Sequence, residues 1–435
     1  MNAIVLGKGS SGKAAAELLR RKGWCACVLD GDDSWPDGDW DLCVTSPGIP
    51  LDHQWQAAAR AAGVRTVSEL QIGAERFRAM GGRMLAVTGS KGKSSVVKLV
   101  ADALGGIPCG NYGLPLCEVV LQCLDAGGRL PFAVVEVSSF QMETTELPPD
   151  AFEAAAILNL QEDHLDRHGS TEAYHALKLH LLDFASVRIV GTDPLKSGMD
   201  FVINDKKEQI YGLFEGSYFD NPVLRSNGEC AVALMRAAGL CDEAIKAAFA
   251  RFDALPHRMQ TVGVFDGVTY IDDSKATSIA ALIAGVKMAI SKFGQKTYGV
   301  FSFPRESTLG FKGPVPMNPQ GPVPRVRLIA GGLPKGDDPL LARSCLADGV
   351  AKAYLIGQCA PAFAEAWHGA VPCEICGTLE SAVAAARRDA TEGECILLSP
   401  GTASFDQFNS YGERGERFAA LSSQMGDREN CVSWP

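Results

Sequence analysis

Short apolar runs alternate along this chain with longer stretches in which apolar and polar residues are mixed. Near the N-terminus "AIVLG" predicts a buried strand, "GKAAAELLRRKG" a helix and "CACVLD" a second strand. "WDLCVTSPGIP" gives a third strand ending in a Pro-Gly turn, and "QWQAAARAAG" the next helix. Strand, helix, strand is the rhythm of a parallel sheet covered by helices. The rhythm restarts near Arg83 with the strand "RMLAVTG" and the helix "KSSVVKLVADAL". "PFAVVEVSS" and "AAAILNL" then read as central strands, apolar on both faces. "TEAYHALKLHLLDFA", "NGECAVALMRAAG" and "DEAIKAAFARF" read as helices. After "LPHR" a third unit begins, with strands "VTYIDDS", "RVRLIAGG", "AKAYLIG" and "ECILLSPG" and the helix "SIAALIAGVKMAIS".

At 435 residues the chain is too long for a single core and is expected to form two to four domains. A hydrophobic content of 46% and a charged content of 21% fit a soluble globular protein. The net charge of −10 disfavours a general nucleic-acid binder. No apolar run reaches the ~18 residues of a membrane span. "MNAIVLGKG" lacks the basic, apolar and small-residue succession of a secretory leader, so a cytoplasmic location is expected. The 14 cysteines are scattered, as reduced thiols are. Cys373 and Cys376 form one CxxC without a second pair, which favours buried or incidental thiols over a metal or redox site. Residues 304–324 contain six prolines and are expected to form an exposed loop or partly disordered insert.

Two glycine turns carry the candidate chemistry. "GKGSSG" sets Gly7, Gly9 and Gly12 in the GxGxxG spacing between a strand and a helix, with Asp30 ending the next strand. That is a Rossmann-type context for a dinucleotide or another diphosphate, or a tight turn with no ligand. In "LAVTGSKGKSS" Val87 stands where the usual phosphate loop needs its first glycine. Loop N–H groups could still wrap phosphates, with Lys93 adding charge and Ser94 reaching Mg²⁺. The alternative is a serine-rich helix cap. Glu136, near the end of an apolar strand, is costly to bury unless it meets a cation. "NLQEDHLDRHGS" brings Asn159, Asp163, His164, Asp166, Arg167 and His168 after the next strand. Three such strand ends converging on one crevice predict a Mg²⁺–triphosphate site. Lys178, in "YHALKLHLL", reads on its own as a snorkelling surface lysine.

With these residues in order, the chain resembles the Mur ligases, the ATP-dependent amide-forming enzymes of peptidoglycan synthesis. The resemblance runs through "GKGSSGKAA", "SPGIP", "VTGSKGKSS", "GNYGLPL", "EVSSFQME", "LNLQEDHLDRHGSTEAYHALK", "LPHRMQ", "DDSKATS", "LIAGGLPKGDD" and "SPGTASFDQF", covering nearly the whole chain. The family's phosphate loop is shortened to GxxGK[ST], which accounts for Val87. The resemblance implies an α/β protein of three domains. These are a Rossmann-like UDP-substrate domain (1–82), a central P-loop ATPase domain on a parallel sheet (83–256) and a Rossmann-like amino-acid domain (257–435). It implies ATP binding by Gly89, Ser90, Gly92, Lys93, Ser94, Ser95, Asn221, Arg258, Asp273 and Lys275. Two Mg²⁺ ions would be held by Ser94, Glu136, His164 and Lys178, the last as a carbamate. Lys93, Glu136, His164 and Lys178 form the implied catalytic set. Ser10, Ser11, Ser46, Asn111 and His257 would face the UDP substrate and the hinge, and Lys335, Ser404 and Tyr411 the amino acid. This chain departs from the pattern at Lys91, an extra cation in the loop. It departs also at Asp220-Asn221, which leaves Asn227 displaced, and at Asp272.

The implied reaction activates the carboxylate of UDP-N-acetylmuramoyl-L-alanine as an acyl phosphate. D-glutamate then attacks it, with His164 or a water as base and closure of the third domain to exclude water. A monomer is expected. Three other readings stand beside this one. A sibling or folylpolyglutamate-type ligase would add L-glutamate or L-lysine. An NAD oxidoreductase would use "GKGSSG" alone. A regulator would bind nucleotide without turnover.

Overall fold

The computed structural model describes residues 1–127, 130–191, 210–293 and 325–424. The proline-rich 304–324 stretch lies outside them. Three sheets order the described residues, each built mainly from parallel strands.

The first sheet has the order β2-β1-β3-β4, from β1 (Asn2–Leu6), β2 (Cys25–Leu29), β3 (Leu42–Thr45) and β4 (Thr66–Ser68). All neighbours are parallel. The chain leaves β1 to one side and later returns on the other, so the order reverses at the end of β1. Helices α1 (Ser10–Arg21), α2 (Gln54–Ala61) and α3 (Glu69–Ala79) cover it. Gly12 in α1 is required by close approach: a Cβ there would stand 1.8 Å from the Gly7 carbonyl oxygen.

The second sheet runs β6-β7-β5-β8-β9. Its strands are β5 (Met84–Thr88), β6 (Ile107–Gly110), β7 (Ala133–Glu136), β8 (Phe152–Ile157) and β9 (Ala185–Val190). Every residue of β5 is buried, as its unbroken apolar sequence requires of a strand covered on both faces. The order again reverses around β5, between β7 and β8. Helices α4 (Lys93–Leu104), α5 (Leu116–Ala126), α6 (Ser139–Met142), α7 (Leu165–His168) and α8 (Thr171–His180) follow in chain order. One apolar core unites the two sheets: Leu18 and Phe77 share it with Leu116, Val120 and Phe152. "TEAYHALKLHLLDFA" is not one helix. Helix α8 stops at His180, a 3₁₀ turn covers Leu181–Phe184, and β9 starts at Ala185. The turn drives Leu181, Leu182 and Phe184 into the core, a tertiary gain that periodicity does not reveal.

Among the described residues, 221–223, 253–293 and 325–424 form a second compact unit. Its sheet has the order β10-β11-β15-β12-β13-β14. The strands are β10 (Gln260–Phe265), β11 (Val268–Asp272), β12 (Val326–Gly331), β13 (Val350–Ile356), β14 (Cys373–Gly377) and β15 (Cys395–Leu398). Strand β10 escaped the sequence reading. It pairs antiparallel with β11 across Asp266-Gly267, both at positive φ, which is the Asp-Gly hairpin signal. Leu328, Leu355 and Trp367 fill one face of the sheet, and Ile329, Tyr354 and Phe418 the other. Cys373 and Cys376 lie on β14 and pack into these two opposite cores, so a strand separates the two thiols. Both are unpaired, and burial pushes their pKa values up.

Candidate active site

The strand ends β5, β7 and β8 meet as expected for ligand binding at an order reversal. The loop 89–92 leaves β5 and enters α4 at Lys93. Gly92 adopts φ 83°, and a Cβ there would meet the Asn227 amide nitrogen at 2.0 Å. Lys93 Nζ curls back to donate to the carbonyls of Gly89, at 2.8 Å, and Ser90, at 3.2 Å. The Ser90 hydroxyl donates to the Gln161 carbonyl (3.0 Å) and accepts from the Gln161 N–H (2.9 Å) and the Tyr174 hydroxyl (3.2 Å). Ser90 therefore braces the loop. Ser94 and Ser95 are buried in the first turn of α4.

Asn159, just past β8, treats the loop as a strand would. Its side-chain Oδ1 accepts from the Lys91 N–H and its Nδ2 donates to the Lys91 carbonyl, both at 2.9 Å. The same amide reaches Asn227 Oδ1 at 3.2 Å. Asn227 thus belongs to the loop's support, a role its displaced position in the sequence concealed. Lys91, the odd cation, pairs with Asp163 at 3.3 Å.

Glu136 is the last residue of β7 and only 2% exposed. One carboxylate oxygen accepts from Asn111 Nδ2 at 2.8 Å, while the other is buried without a hydrogen-bond partner. Burying an unsatisfied carboxylate oxygen is costly, so the site is built for a cation. Lys178 is not the snorkelling surface lysine that its local sequence suggests; it has the burial that the family resemblance implies. It is 1% exposed and donates to the Gly89 carbonyl at 3.0 Å. Burial, and then the Lys93 cation, pull its pKa down to about 7. An amine in that state has a neutral fraction at neutral pH, which carbamylation requires. His164 opens α7 at φ 53°, with its pKa lowered chiefly by burial, so its imidazole is held neutral. Its ring lies 4.9 Å from that of Phe140. Among the described residues no three His, Cys, Asp or Glu side chains gather as a metal cluster. A Mg²⁺ beside a nucleotide needs few protein ligands, and a serine hydroxyl and a carboxylate are the hard oxygen donors it usually takes together with phosphate oxygens. The donor set fits. Arg167 and His168 both engage Glu143.

At the end of β1 the first glycine turn feeds α1, which begins at Ser10 and Ser11 behind Gly9 and has no side-chain cap. Ser46, after β3, keeps a buried hydroxyl without a partner beside this turn. Asp30 is exposed, its N–H bonded to Asp33.

The second unit holds its own cluster. Asp273 is buried, accepts from Ser399 (2.9 Å) and the Met259 N–H (3.2 Å), and is pushed up to about 7 by burial. Lys275 Nζ sits 3.7 Å from the ring centroid of Tyr411. His257, at φ 60°, contacts Asp272 at 2.6 Å, and Arg258 follows it. Asn221 Oδ1 accepts from the Val223 N–H at 3.0 Å. Leu333 bridges Ala403, so the loops carrying exposed Lys335 and buried Ser404 run side by side. The sequence reading missed Arg414. It is buried, donates to Ser274 and to the Thr402 and Ala403 carbonyls, and is pulled down to about 10 by burial. An arginine inside "YGERGERF" looks like any charged helix face, so no local signal marks it.

Residues 87–209 match the Mur ligase middle domain. Over 97% of its length the chain is 33% identical to the UDP-N-acetylmuramoylalanine–D-glutamate ligase of Jannaschia sp. (strain CCS1), covering 98% of that protein. It is equally similar to the protein of that name from Sphingopyxis alaskensis, at 33% identity over 97% of each chain. Among solved structures, a MurF ligase from Thermotoga maritima in complex with ADP aligns with TM-score 0.55 at 13% identity, over 96% of this chain and 93% of that one. The UDP-N-acetylmuramate-alanine ligase of Thermotoga maritima aligns with TM-score 0.53 at 13% identity, over 98% and 100%. These structural likenesses concern the fold.

Proposed function

The chain belongs to the Mur ligase family, with UDP-N-acetylmuramoylalanine–D-glutamate ligases as full-length relatives, and from that premise we infer an ATP-dependent amide ligase that adds D-glutamate to UDP-N-acetylmuramoyl-L-alanine. The observation that carries the reading to this chain's own residues is the convergence on Gly89. Lys93 and Lys178 both bond its carbonyl, beside a Glu136 oxygen left without a partner.

In the proposed mechanism Lys93 leaves the Gly89 carbonyl for the β and γ phosphates of ATP. The γ-phosphoryl group passes to the substrate carboxylate, and the P–O bond to ADP breaks. The D-glutamate amine then attacks the acyl carbon, the C–O bond to phosphate breaks, and the amine proton leaves to His164 or water. Ser94, Glu136, His164 and a carbamylated Lys178 are the residues that would hold Mg²⁺, which would supply charge neutralisation at the phosphates. Asn111 keeps Glu136 aimed and contacts the muramoyl part. Ser10, Ser11 and Ser46 take the uridine diphosphate at the first glycine turn. Asp273, Lys275, Arg258 and Asn221 are assigned to ATP, His257 to the hinge, and Lys335, Ser404 and Tyr411 to D-glutamate. Segments 1–82, 83–256 and 257–435 carry these three roles, in the cytoplasm, where the nucleotide substrates are made. No described helix is long and apolar enough to cross a membrane.

The test is phosphate release from ATP with UDP-N-acetylmuramoyl-L-alanine across a panel of amino acids. Release that requires D-glutamate is expected; release with another amino acid instead assigns a sibling activity. No release with any amino acid, despite ATP binding, sinks the enzymatic reading.

A further inference from the structure

Arg167 was a candidate ligand-facing residue in the sequence, and its surroundings give it different work. Its guanidinium meets Glu143 with two hydrogen bonds, Nε to Oε1 at 3.0 Å and Nη2 to Oε2 at 2.6 Å. The same Nη2 donates to the Ile49 carbonyl at 3.1 Å. The plane lies over the Phe140 ring at 4.5 Å. Arg167 and Glu143 side chains are 13% and 6% exposed. Glu143 Oε1 also takes His168 Nδ1 at 3.4 Å, and His168 Nε2 reaches the Ser139 hydroxyl at 3.0 Å.

Three loops meet at this one side chain. Arg167 itself stands in α7, three residues past His164. Glu143 and Phe140 belong to the segment that follows β7 and Glu136. Ile49 closes the turn after β3, where its N–H bonds the Ser46 carbonyl. That turn packs on the first glycine loop: a Cβ on Gly7 would lie 3.2 Å from Ser46 Oγ and 3.7 Å from Ile49 Cδ1. A nearly buried, bidentate ion pair fixes direction as well as distance. A lysine could not serve, since one nitrogen cannot meet both carboxylate oxygens and a third carbonyl in fixed directions.

We propose that Arg167 is a positioning residue for the UDP-substrate site, holding the Ser46–Ile49 turn against the segments that carry Glu136 and His164. The proposal rests on the assignment of the first glycine turn to uridine diphosphate. It deepens that assignment by naming the residue of helix α7 that sets the turn's place. Phosphate-loop support comes from Asn159, Ser90 and Asn227 and does not run through Arg167. The two nucleotide sites should therefore respond differently to its loss.

The experiment measures UDP and ADP binding by calorimetry to the full-length wild type, R167K and R167M/E143Q, with folding checked by thermal melts. The double variant removes the charge pair together, so no unpaired buried carboxylate remains. UDP should bind at least about fivefold more weakly to both variants, with ADP affinity held within about twofold. Should R167K fail to fold, the double variant decides alone; should neither fold, Arg167 is a stability residue and the proposal falls. Unchanged UDP affinity in a folded variant, or equal weakening of UDP and ADP, also overturns it. A wild type that binds ADP but not UDP overturns the assignment of the first turn and this inference with it. Wild-type UDP binding without a difference in the variants overturns this inference alone.

Discussion

The two glycine turns share a plan, strand to turn to helix at an order reversal, and diverge in what surrounds them. The first offers a helix start, serines and an unpartnered Ser46 hydroxyl. The second gathers Lys91, Lys93 and Lys178 against Glu136 and Asp163, with Asn159 fixing the backbone between them. In the proposed assignment the first would hold a diphosphate that does not react, for which N–H groups and hydroxyls suffice. In the proposed reaction the second would manage charge that moves during phosphoryl transfer, for which N–H groups alone do not suffice. The buried Lys178 amine is the cost of that capacity.

The difference can be broken most severely at Lys93. Lys93→Ala should lower phosphate release by ~10³-fold or more while leaving UDP binding intact, since the lost charge acts in the transition state. Near-normal turnover would remove the second turn from the chemistry. Gly12→Ala should act in the opposite sense. The added methyl collides with a backbone carbonyl, so calorimetry should show UDP affinity down by about tenfold with ADP affinity kept. If ADP weakens equally, the two turns are not separate sites.

The smallest effect should appear at Lys178, in stability. In carbonate-free buffer Lys178→Met should raise the melting temperature by about 1–4 °C while turnover is lost, because a buried, poorly paired amine is replaced by an apolar chain. The pH dependence has a definite sign. The folded-state pKa is about 7, against an ordinary 10.5, so the unfolded chain binds more protons between those values. The lysine's contribution to stability therefore rises with pH from about 7 to 10.5 and is flat below. Melts of wild type minus Met variant across that window should show the slope, and equal slopes would contradict the burial argument.

Much of this was legible in the residues. Apolar runs marked β1, β5, β7 and β8, and helix α4 covers the stretch "KSSVVKLVADAL". Local pattern suffices there because a strand buried on both faces must be apolar throughout. The Asp266-Gly267 hairpin was equally legible but passed over. Strand β9 was not, because a 3₁₀ turn joins it to a helix without a break in hydrophobicity.

Sequence alone determined which residues could do the chemistry: a shortened loop with its Lys-Ser, an acid ending a strand, and a histidine after the next. Tertiary structure decided what each of them meets. It buried Lys178 and lowered its pKa, left one Glu136 oxygen unpaired, turned Lys91 to Asp163 and Arg167 to Glu143, and brought Asn227 under Gly92. The division has a physical cause. Residue type fixes which protons and charges a side chain can offer, whereas its pKa and partners depend on burial and on neighbours far away in the chain.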